Sequence, residues 1–135
     1  MKLVKDLTDI PLLEIMLDFS IGGHTWDLHN DFDCKEISLE NQNLVFSFEN
    51  ETSMITFEMA FHEVEILGSV FEVTRNDKSI ILENFQRSRY QIGEELFDET
   101  ESGKHCYLIE FDEGQSIELL SKKVELSLIE KEVPH

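Results

Sequence analysis

Basic residues are what this chain lacks. Eleven Lys and Arg stand against twenty-nine Asp and Glu in 135 residues, a formal net charge of −18. Nucleic-acid binding needs Lys and Arg to neutralise phosphates, so a chain this acidic is not expected to bind DNA or RNA directly. Long apolar runs are missing too: nothing approaches the roughly 20 consecutive apolar residues that span a bilayer, and no membrane partner is expected. The start, Met1-Lys2-Leu3-Val4-Lys5-Asp6, lacks a signal peptide's apolar core and small-residue cleavage site, which predicts a cytoplasmic location. Cys34 and Cys106 are too few for a disulfide framework and read as free thiols. No Gly-x-Ser-x-Gly, P-loop or dinucleotide fingerprint occurs, so neither enzymatic activity nor a cofactor is expected.

What is present is core material. Hydrophobic residues make up 41% and aromatics 10%, with ten Phe, a composition that disordered acidic tails do not have. The length suits one domain over 1–135. Simple solubility in a small domain needs a net charge of magnitude only about 2 to 8. The larger excess here points to a cationic partner, found quickly through long-range attraction.

Hydropathy alternates with period two along most of the chain. Leu13, Ile15, Leu17, Phe19 and Ile21 alternate with Glu14, Met16, Asp18 and Ser20. Helical spacing of Leu12, Ile15, Met16 and Phe19 competes there, and the alternation favours a strand. Alternation recurs in 26–29, 44–49, 55–61, 70–74, 106–111, 117–120 and 124–129. Turn residues separate these runs in Glu40-Asn41-Gln42-Asn43, Asn50-Glu51-Thr52-Ser53, Arg75-Asn76-Asp77-Lys78 and Asp112-Glu113-Gly114-Gln115. Many short strands at this spacing predict an all-β domain, or α+β if one or two short helices are present. The expected architecture is an antiparallel curved sheet, half-barrel or sandwich. Residues 94–103 read as one long acidic loop.

Two acidic concentrations stand out. From Glu94 to Glu113 eight acids face one Lys, with Glu94, Glu95, Asp98, Glu99 and Glu101 crowded into one segment. The second run, Asp27, Asp31, Asp33, Glu36 and Glu40, is opposed only by Lys35. Solvated strand faces account for most individual Glu residues, but clusters this dense create the negative potential that steers a cationic partner. The candidate partner-binding residues are therefore Glu94, Glu95, Asp98, Glu99 and Glu101, then Asp27, Asp31 and Asp33.

Other constellations carry less. His24, His29 and Cys34 do not have the paired spacing of a structural zinc site. Asp31-Phe32-Asp33 lacks the glycine that a calcium loop needs at its sixth position. No metal is expected. His105 and Cys106 are neighbours whose side chains diverge on a strand, so Cys106 reads as a small buried hydrophobe and not a nucleophile. Trp26 with Phe32, and Phe85 with Tyr90, read first as core and second as interface anchors.

The C-terminal unit Tyr107-Leu108-Ile109-Glu110-Phe111-Asp112-Glu113-Gly114-Gln115-Ser116-Ile117-Glu118-Leu119, followed by Lys123-Val124-Glu125-Leu126, resembles the closing hairpin of small bacterial immunity proteins of polymorphic and contact-dependent toxin systems. Asp33-Cys34-Lys35-Glu36-Ile37 with Leu44-Val45-Phe46-Ser47-Phe48 echoes their earlier strands. Phe32-Asp33-Cys34 stands where such proteins have a His-Asp pair. The resemblance implies a protein that acts by binding: an inhibitor of a cognate basic toxin domain, a nuclease above all, since nucleases hold phosphates in basic clefts. A β-barrel holding an apolar ligand among the ten Phe is the alternative.

Overall fold

The computed structural model of the protein describes residues 1–71 and 79–130. Its strands are β1 (Lys2–Asp6), β2 (Asp18–Ile21), β3 (His24–Asp27), β4 (Asp33–Glu40), β5 (Asn43–Glu49) and β6 (Ile55–His62). They continue with β7 (Glu65–Val70), β8 (Leu82–Ser88), β9 (Tyr90–Ile92), β10 (Glu95–Phe97), β11 (His105–Phe111), β12 (Ser116–Ser121) and β13 (Lys123–Glu130). No helix occurs among the described residues, so the chain is all-β.

Two sheets dominate. One has the order β1-β13-β6-β5-β4 and the other β7-β12-β11-β8, every pairing antiparallel. Their inner faces meet through aromatic rings. Phe61 of the first sheet lies 5.9 Å from Phe85 and 5.7 Å from Tyr107 of the second, and Phe46 lies 5.8 Å from Phe111. All five of these except Phe111 are fully buried, and burying each such ring contributes roughly 1.5–3 kcal/mol. The sheets do not close into a barrel.

A bent ribbon joins the layers. β6 passes into β7 through Glu63, whose φ is +50°, and the chain returns from β12 to β13 through Lys122. Fully buried Ser121 pins that corner, its hydroxyl donating to His62 O at 2.8 Å. Sheets related by strands that switch layers at such bends are a known route to a curved sandwich.

The tight turns follow local chemistry. Asn41 and Gln42 carry φ of +52° and +65° between paired Glu40 and Asn43, and Gly22 and Gly23 carry +65° and +81° between paired Ile21 and His24. Positive φ at both central residues is the type I′ requirement, whose twist matches that of the strands it joins.

Three expectations change. The alternating run from Leu13 to Ile21 becomes a strand only at Asp18–Ile21. Before it, Leu13 adopts φ +60°, and the Leu13 and Met16 amides donate to Arg87 O and Phe85 O, each at 2.8 Å. That segment is a strap along the outer edge of β8. The acidic stretch 94–103 is not one loop, because Glu95–Phe97 pairs with β9 as a hairpin. Helices are not needed as an alternative. The expected strand over 70–74 falls mostly, and the turn at 75–78 wholly, outside the described residues.

Candidate functional site

The two candidate acidic regions lie at opposite ends of β8. His29 Nδ1 is 2.7 Å from Leu82 O, and Cys34 exchanges backbone hydrogen bonds of 2.8 and 3.1 Å with Ile80. Asp27, Asp31 and Asp33 therefore sit by the Leu82 end. The Asp112 amide donates to Ile81 O at 2.9 Å, which brings the Asp112–Glu113 turn to that same pole. The β9–β10 hairpin begins beyond Ser88, at the other end. At about 3.3 Å per residue, β8 keeps the poles about 20 Å apart. The structure gathers Glu94, Glu95, Asp98, Glu99 and Glu101 on one arm and does not bring Asp27, Asp31 or Asp33 to them.

Several acids at the Leu82 pole hold the fold. The Asp27 carboxylate accepts from the His29 amide at 2.9 Å, the Asn30 amide at 2.9 Å and the Asn30 side chain at 2.7 Å. Burial pushes that carboxyl up, but the Asn30 and His29 bonds outweigh it and hold it below the usual carboxylate range. Asp112 Oδ1 accepts from the Ile81 amide at 3.0 Å. Asp33 is half-buried and pairs with Glu49 across the β4–β5 ladder, while Asp31 is exposed.

The arm has a different construction. Gly93, with φ +63°, forms a two-residue turn with Glu94 between paired Ile92 and Glu95, the glycine-first pattern of a type II′ hairpin. At its base Tyr90 stacks on Phe97 with ring centroids 5.5 Å apart, and Arg89 Nε donates to Asp98 Oδ1 at 2.8 Å. That ion pair is exposed and contributes about 0–1 kcal/mol. Glu99 bridges to His105, tying the arm to the start of β11. Glu94, Glu95, Asp98, Glu99 and Glu101 are all exposed.

Two residues not anticipated from the sequence complete the arm. Ile92 is 63% and Leu96 60% exposed, both within the acidic hairpin. By register, Ile92 shares a face with Glu95, Tyr90 and Phe97, and Leu96 shares the other with Gln91. The signal was an apolar pair isolated in an acidic segment, but only the hairpin pairing tells a core contact from an exposed tip.

Other candidates are accounted for by packing. Trp26 is half-buried against Phe57 at 5.5 Å and Phe32 at 6.4 Å, and Phe85 is core. Cys34 and Cys106 are buried free thiols. Burial pushes each to about 12, outweighing a lowering hydrogen bond with the Glu36 backbone at Cys34, and the Glu118 charge adds to the rise at Cys106. A thiol held there is a poor nucleophile. Among the described residues, no three His, Cys, Asp or Glu side chains group as metal ligands, and no helix could cross a membrane. A groove of about 290 Å³ beside β1 is lined by Lys5, Asp6, Asp9 and Asp18 over Leu7, Ile10, Met16 and Phe19. Its charged rim does not suit an apolar ligand. No family model matches the chain, and no curated protein or solved structure matches it either.

Proposed function

We propose that this chain is an immunity-type inhibitor that binds and neutralises a cognate basic toxin domain, with a nuclease as the toxin class that fits best. The observation that carries this reading is the β9–β10 arm: exposed Ile92 and Leu96 framed by Glu94, Glu95, Asp98, Glu99 and Glu101 on a chain of net charge −18. With one apolar side chain on each face, such a hairpin suits insertion into a cleft, where Ile92 and Leu96 hold the complex and the surrounding charges set the encounter rate. A nuclease cleft that binds phosphates offers the complementary positive field.

The test is association with the product of the reading frame adjoining this gene as the candidate toxin, followed kinetically at two salt concentrations. Reversing Glu94, Glu95 and Glu101 to Lys leaves the Arg89–Asp98 pair intact. It should slow association about tenfold, change dissociation less and flatten the salt dependence. Replacing Ile92 and Leu96 by Ser should instead speed dissociation. Failure of the unmodified chain to bind or protect against that toxin domain overturns the proposal.

A further inference from the structure

A sheet edge offers unpaired N–H and C=O groups, and natural sheets protect their edges. Three of the four edges of the two main sheets are protected. The residue 12–16 strap covers β8 by backbone hydrogen bonds. β1 carries Lys2 and Lys5, and Lys5 Nζ reaches Ser20 O at 2.9 Å. β4 has a bulge at Cys34/Glu36, Lys35 beside it and a bridge to Ile80. The fourth edge, β7, pairs with β12 on one side, and no described strand pairs with the other. All six residues of Glu-Ile-Leu-Gly-Ser-Val are exposed, with Ile66 at 42%, Leu67 at 43% and Val70 at 59%, and no Lys, Arg or Pro blunts it.

Acids predominate at this edge: from Glu36 to Val70 the sequence has seven Glu and no Lys or Arg, and the nearest described cations, Lys122 and Lys123, stand at the corner beside His62. Glu63 and Glu65 flank the start of β7, and Glu118 pairs with Gly68, where a side chain would meet nothing within 4 Å. Leu39, paired with Leu44, is also exposed at 57%, and the Val64 amide donates to Gln42 O at 2.8 Å where the β4–β5 turn meets the start of β7. A second copy of this chain would bring the same acids to the seam.

We propose that the open edge of β7 accepts an extended strand of alternating apolar and basic residues from a cationic partner. Backbone hydrogen bonds would hold the added strand. Its apolar side chains would cover Ile66 on the face shared with Leu119 and Ile117, and its Lys or Arg would meet Glu65 and Glu118 on the opposite face. The inference rests on the reading of this chain as a binder of a basic domain and specifies how that domain engages. Glu65, Leu120, Cys106 and Ser88 form one row across the second sheet, so the start of β7 lies at the same end as the arm. Three strand spacings separate them, about 14 Å, and one partner can reach both.

The probe is a blocked heptapeptide of alternating Lys and Val, compared with an analogue of equal charge whose central Val is Pro. Backbone amide shifts and hydrogen exchange report its position. The expected result is at least tenfold slower exchange at amides within Glu65–Val70 with the alternating peptide, about tenfold weaker binding of the Pro analogue, and weakened binding in Leu67→Lys. Equal binding of the two peptides, shifts confined to the arm, or no binding at all would overturn strand pairing. Toxin binding is read separately. A complex that depends on the arm but leaves the β7 amides unprotected retains the function and refutes the strand. Peptide pairing at β7 without any toxin complex does the reverse.

Discussion

At the turn after β3 a single carboxylate serves three donors, the His29 and Asn30 amides and the Asn30 side chain. Asp6 does similar work for Thr8, whose hydroxyl donates at 2.6 Å and amide at 2.9 Å, and these bonds hold its carboxyl below the usual range. Both groups are depressed in the folded state. Their stabilisation is therefore fully present above the unfolded carboxylate range and lost as pH falls through the folded values. Asp27→Ala should lower stability by about 1 kcal/mol at pH 7, the usual cost of losing a side-chain cap on backbone amides. Thermal melts should show the gap between variant and native chain closing as pH falls toward 3. A gap that stays constant would mean the cost comes from packing and not from the ionised carboxylate.

Elements in this fold depend on where one side chain can or cannot stand. In the β2–β3 turn, Gly22 and Gly23 both hold positive φ, but their surroundings differ. A Cβ on Gly22 would stand 2.8 Å from Leu3 Cδ1, whereas one on Gly23 would meet nothing within 4 Å. Left-handed backbone costs either alanine roughly 1–2 kcal/mol. Gly22→Ala should carry that cost plus rotation of the Leu3 side chain away from its packed position, so its melting temperature should fall below that of Gly23→Ala. Equal melting temperatures would show that the Leu3 side chain moves aside freely. The β9–β10 arm is the contrasting element. Ring stacking and one ion pair support its base, while its tip faces solvent on both sides, so substitutions at the tip should change binding and leave folding intact.

Across the whole molecule, −18 charges on 135 residues oppose compaction. Salt screens that repulsion, with a Debye length falling from about 10 Å at 0.1 M to about 3 Å at 1 M. The melting temperature should rise with added salt. It should also rise as pH moves from 7 toward 5, before loss of the Asp6 and Asp27 bonds reverses the trend. A midpoint that falls with salt would show that paired charges, such as His62 and Glu125 at 2.9 Å, outweigh net repulsion. The acids are also divided between poles. Asp27, Asp31, Asp33, Asp112 and Glu113 lie by Leu82 and the arm lies beyond Ser88, so a partner meets one field or the other.

Period-two alternation in Leu44–Glu49, Ile55–Phe61, Cys106–Phe111 and Val124–Ile129 was enough to determine the all-β class, because a strand needs only its own residues to show two faces. Turn chemistry at Asn41-Gln42 and Gly114 was equally local. The polar or unpatterned strands β1, β7, β9 and β10 were not legible, since their pairing depends on partners distant in sequence or on a turn at Gly93. Which acids are neighbours was likewise undetermined: Glu94 through Glu113 looks like one dense run, yet β11 carries Asp112 and Glu113 to the far pole. Only the tertiary structure leaves Ile92 and Leu96 exposed while burying Phe85 and Tyr107. Burial is decided by what packs on a side chain, and that is set by sheet order and layer contact, not by the identity of the residue.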